Sequence, residues 1–135
     1  MMGFEEIEHT ADRALRIFGS NLQELFISAA QGMTGMMVPD ASKIGIEVEK
    51  FIELDAVDAE DLLVEWLSEL AFWAETEMLV FTRFSIQNLT DTHLEANIGG
   101  ATAPELEKHI KAVTYHNLKI IKTPQGPEVT IVFDV

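Results

Sequence analysis

The chain contains no cysteine, which excludes disulfides, thiolate zinc centres and a cysteine nucleophile. Basic residues are scarce: nine lysines and arginines stand against 23 aspartates and glutamates, for a net charge of −14. Nucleic-acid affinity depends mainly on Lys and Arg neutralising phosphates, so a surface of this sign repels RNA and DNA. A role beside nucleic acid would have to run through a basic protein partner or a bridging cation. The plainer alternative is that the acidity only keeps the protein soluble. No apolar run approaches the roughly 18–20 residues of a membrane span. The opening Met1-Met2-Gly3-Phe4-Glu5-Glu6 is acidic and lacks the basic-then-apolar pattern of a secretory signal. The expectation is a cytoplasmic protein that binds neither membrane nor nucleic acid directly. Phosphate loop, dinucleotide glycine fingerprint, Gly-x-Ser-x-Gly elbow and paired-histidine zinc motif are also missing.

What is present suffices for one core. With 135 residues, 47% of them hydrophobic, the chain reads as a single domain over 1–135. Two short β-leaning runs, Phe4 to His9 and Ala14 to Gly19, flank a polar turn and suggest a hairpin. Ser20 and Gln23 then form a capping-box pattern that opens a helix. Its stripe of Leu22, Leu25, Phe26, Ala29, Ala30, Met33, Met36 and Met37 has helical period, Gly32 and Gly35 should loosen its end, and Pro39 stops it. The methionines read as core filling or as a sticky partner surface. Ile44 to Leu54 alternates apolar and acidic residues as a half-buried strand. A second helix opens at Asp58, with Leu63, Trp66, Leu67, Leu70, Trp73 and Ala74 as its buried stripe. Phe72, among others, broadens that stripe. Strands are expected over Leu79–Ile86, His93–Ile98, Ile110–Ile121 and Glu128–Phe133, with a loop at Gly99–Pro104 and a helical turn at Pro104–Glu107. The order predicts an α+β fold, two helices packed on a largely antiparallel sheet.

Three places carry possible chemistry. In His9-Thr10-Ala11-Asp12, Asp12 is either a hard-cation ligand or an acceptor for turn N–H groups. Asp134 interrupts the apolar terminal run Ile131 to Val135, so it either faces water or has a cation or donors beside it, and Val135 adds a terminal carboxylate. Lys111 opens Lys111-Ala112-Val113-Thr114-Tyr115-His116 and is either a phosphate or carboxylate partner or a solvated edge lysine.

Taken in order, Glu8 to Asp12, Glu60 to Leu67, Ile110 to His116 and Val132 to Val135 resemble the archease family over essentially the whole chain. The resemblance implies a protein cofactor, not an enzyme, for the GTP-dependent tRNA-splicing RNA ligase. Such a cofactor promotes guanylylation of the ligase's active-site histidine and permits repeated turnover. It further implies a divalent-cation site (calcium, magnesium or manganese) at Asp12 and Asp134, with Val135 adding an oxygen as carboxylate or carbonyl. Lys111 and His9 are implied in activation, and whether Glu65 or His116 join them stays open. Two other readings compete. One is a chaperone-like module steadying an RNA-modifying enzyme such as a tRNA methyltransferase, a reading compatible with the methionine-rich helix. The other is a metal-dependent hydrolase, for which His9 is the nearest available base.

Overall fold

The computed structural model describes residues 2–8 and 12–135. His9, a candidate activating residue and base, lies outside them. The first two strands, β1 (Gly3–Glu8) and β2 (Asp12–Phe18), form the expected antiparallel hairpin. Helix α1 (Leu22–Met37) follows. Its cap is Asn21, not Ser20: the Asn21 side chain accepts from Glu24 N–H, and Glu24 reaches back to the Ser20 N–H at 2.8 Å. The capping-box logic holds one residue later, because Asn21 holds the extended φ a cap requires. Met33, Met36 and Met37 are buried, so the methionines fill the core. Gly32 does not loosen the helix; a Cβ there would lie 2.9 Å from Leu15 and 3.0 Å from Phe4, so it lets α1 close onto β1 and β2.

A 3-10 turn at Ala41–Lys43 shortens the next strand to β3 (Val48–Asp55). Asp58 caps α2 (Ala59–Glu77) by accepting from Asp61 N–H, and Glu60 and Asp61 sit in its positive first turn. The α2 stripe is buried as expected except at Trp73, which is half-buried, and at the broadening residue Phe72, which is 54% exposed. Trp66 is fully buried and donates its indole N–H to the Phe26 carbonyl at 3.0 Å, joining the helices.

The chain then forms β4 (Leu79–Leu89) and β5 (His93–Thr102). Gly99 and Gly100 continue β5 where a loop was expected. The reason is a register shift between Phe81 and Arg83 that brings two backbones together; a Cβ on Gly100 would lie 2.7 Å from Phe81 Cα. Gly100→Ala should therefore destabilise the fold by about 1–3 kcal/mol, read as a lower urea midpoint. Nor does Pro104–Glu107 form a helical turn. Its flanking N–H groups serve helix ends instead, Ala103 donating to Met78 O and Glu107 to Met37 O.

The expected strand Ile110–Ile121 is reduced to β6 (Ala112–Val113) and β7 (Ile121–Thr123), before the long β8 (Gly126–Asp134). Asn117 turns the intervening chain with φ 50, and two carboxylates of α2 draw it off the sheet, as described below. β1, β2, β8 and β6 lie in that order in one sheet, β7 also pairing with β8; β3, β5 and β4 form a second. Every pairing is antiparallel. Both helices and both sheets feed one apolar cluster, which makes the α+β assignment correct. Among the described residues no helix is long and apolar enough to cross a membrane.

Candidate functional site

Alternation along β8 buries Val129, Ile131 and Phe133 and leaves Asp134 exposed on the other face. β2 runs beside it in a register that sets Asp12 directly opposite Asp134. Opposed residues of an antiparallel pair project from the same face with Cβ atoms about 4.5–5.5 Å apart, and like charges in that position repel. Elsewhere on this face the charges are complementary: Arg16 meets Glu128 at 2.6 Å. At the end of the same strand pair two carboxylates stand in direct register. Asp12 is half-buried, with its Oδ1 shut off from solvent.

The third strand brings in the lysine segment. Ala112 pairs with Asp134 from the side away from Asp12, and the Lys111 N–H donates to the Asp134 carbonyl at 2.7 Å. Thr114 adds its backbone N–H and its hydroxyl to the Val132 carbonyl, at 3.0 and 2.9 Å. Residues from the beginning, the last quarter and the end of the sequence therefore meet across three adjacent strands. The Lys111 side chain is exposed and lines a groove of about 260 Å³ with Phe72 and Glu75 of α2. Val135 is half-buried beside Asp134. A cleft of about 650 Å³ between the start of α2 and β7 contains none of these residues.

A second set of contacts escaped the sequence reading. Tyr115 donates its hydroxyl to Asp61 Oδ1 at 2.6 Å, and Glu60 Oε2 accepts the Ile120 N–H at 2.9 Å. The first turn of α2 thereby holds the chain that follows β6. Asp58 already caps this end of α2. Glu60 and Asp61 were therefore free for other donors, which was the available signal. The Asp61 hydrogen bond, then burial, then the charges of Asp61, Glu65 and Asp58 push the Tyr115 phenol up to about 12. Glu65 thus acts on Tyr115 through its charge, while His116 Nε2 lies 3.3 Å from Asn117 Nδ2.

Tyr115 is the only tyrosine, so ultraviolet titration reads it alone. Phenolate should appear only near pH 12, and Asp61→Asn should bring that midpoint back toward 10. The folded phenol ionises at a higher pH than the unfolded one. Its contribution to stability is therefore complete below pH 10 and fades as pH rises through 12.

Comparison with known proteins bears on the same residues. The profile of the Archease protein family (MTH1598/TM1083) matches residues 4–135. Protein archease of Methanosarcina mazei is 34% identical over 140 residues, covering 98% of this chain and 95% of that protein. Protein archease of Archaeoglobus fulgidus is 35% identical over 138 residues, covering 99% and 100%. The solution structure of Methanobacterium thermoautotrophicum protein 1598 superposes with a TM-score of 0.80 at 30% identity, over 98% of this chain and 99% of that one.

Proposed function

This chain belongs to the archease family, and we propose that it activates the GTP-dependent RNA-splicing ligase that joins tRNA halves. In this reading it promotes guanylylation of the ligase's active-site histidine and repeated turnover, and the nucleophile is the ligase's own. The observation that carries the reading is the direct register of Asp12 and Asp134, with Lys111 held by its backbone to Asp134.

The donor set fits a divalent cation. Two carboxylates in direct register, with an oxygen of Val135 adjacent in the chain, offer the all-oxygen environment that calcium, magnesium and manganese accept. When bound there, such an ion neutralises charge developing on a nucleotide phosphate. Asp12 and Asp134 hold and orient it, each from a strand end fixed by ladder hydrogen bonds. Lys111, exposed in the groove beside α2 and tied to Asp134 through its backbone N–H, is the phosphate partner in this reading. The net charge of −14 favours entry into a basic catalytic cleft and disfavours competition for the RNA itself.

The test uses purified ligase with GTP and follows formation of the guanylylated enzyme. Lys111→Ala should slow the stimulated reaction by roughly tenfold or more, in line with loss of one charged phosphate contact. Chelation should abolish stimulation, and added calcium, magnesium or manganese should restore it. A chelator-resistant stimulation, equal in wild type and in Asp12→Ala and Asp134→Ala, would instead favour assistance by packing alone, as in the chaperone-like reading.

A further inference from the structure

We infer that Glu53, His93 and Glu95, on the second sheet, form a binding site for a divalent first-row transition ion of the zinc class. The inference does not depend on the function proposed above. β3 and β5 pair so that Glu53 lies opposite Glu95 and Asp55 opposite His93. The four side chains therefore share one face of the sheet, three acids around one imidazole. One donor atom from each of Glu53, His93 and Glu95 lies within 4.8 Å of the others.

The spacings match a coordination shell. His93 Nε2 lies 2.9 Å from Glu95 Oε2 and 3.5 Å from Glu53 Oε2. Donors each about 2.1 Å from one ion, at angles of about 90–110°, are themselves about 3.0–3.4 Å apart. On the far side of the ring, Nδ1 lies 2.7 Å from Asp55 Oδ1. A carboxylate there accepts a hydrogen bond from Nδ1–H and so turns the Nε2 lone pair toward Glu53 and Glu95, the arrangement of a carboxylate–histidine–metal triad. Asp55 is thus a positioning residue.

Charge points the same way. No lysine or arginine among the described residues pairs with any of the three acids. Glu53 and Glu95 stand opposite one another on this face, and a divalent ion between them would offset both charges at once. The imidazole separates this site from Asp12 and Asp134, because calcium and magnesium take oxygen donors and zinc takes nitrogen readily.

The full-length, metal-free Asp12→Asn/Asp134→Asn protein is titrated with zinc by calorimetry, with calcium as the contrast. One saturable zinc event is expected, with none for calcium. His93→Gln in the same background should weaken zinc binding at least about tenfold, and Asp55→Asn about 10–100-fold. Zinc should also shift the Nε2 nitrogen resonance of His93 while Nδ1 keeps its proton. Absence of saturable binding overturns the inference, as does binding that His93→Gln leaves unchanged. Thermal melts confirm that the variants fold; all four side chains lie on a sheet face outside the apolar core.

Discussion

Asp134→Asn is expected to lower the stimulated rate of ligase guanylylation by about 10²-fold, the size typical of removing one preorganised electrostatic group from a reacting site. Asp12→Asn should do the same, and the double variant should cost little more, because either change dismantles one shared site. Stability of the metal-free protein should stay within about 1 kcal/mol of wild type, as for a change at a strand end outside the apolar core. Calcium should then raise the melting midpoint of wild type, by mass action, and leave that of the variants where it was. Loss of activation together with loss of stability would mean that these acids act on the fold, and would sink the cation-holding role. The paired readout separates the two because the asparagines keep the shape of the strands.

Trp66→Ala should have the largest effect on the fold, about 3–5 kcal/mol, a large fraction of the 5–15 kcal/mol that holds a domain together. Trp66 is fully buried in α2, packs edge-on against Phe84 at 5.9 Å and donates to the Phe26 carbonyl of α1. Its removal opens a cavity where both helices and β4 meet. Urea unfolding should show a much lower midpoint at an unchanged slope. Phe72→Ser, on the same helix but on a side chain 54% exposed, should stay within about 1 kcal/mol. A Trp66→Ala protein as stable as the Phe72→Ser one would contradict the packing described here.

Local pattern made much of this molecule legible. Period 3.6 found both helices, and the alternation of apolar and acidic residues found β3, because a buried stripe or face is written in residue spacing. Phe72 was misplaced since helical period cannot say how wide a strip the neighbours cover. Gly99 and Gly100 read as a loop because glycine marks a turn and a close backbone approach with the same letter. The segment after β6 falls inside the strand expected over Ile110–Ile121. What bends it away is non-local: Asp61 and Glu60, more than fifty residues earlier, hold the Tyr115 hydroxyl and the Ile120 N–H.

The candidate sites divide in the same way. Residue chemistry brought out Asp12, Asp134, Val135 and Lys111 with alternatives open, and motif resemblance gave them roles, while the alternation around His93 gave no hint of its acidic neighbours on β3. Composition, hydrophobic spacing and the four ordered segments determined the fold class, the sign of the surface and the family. Strand pairing alone decided which acids face one another. A one-residue slip in the β2–β8 or β3–β5 ladder would turn a partner to the opposite face, and register is settled by the burial of whole strands, not by any short stretch of sequence.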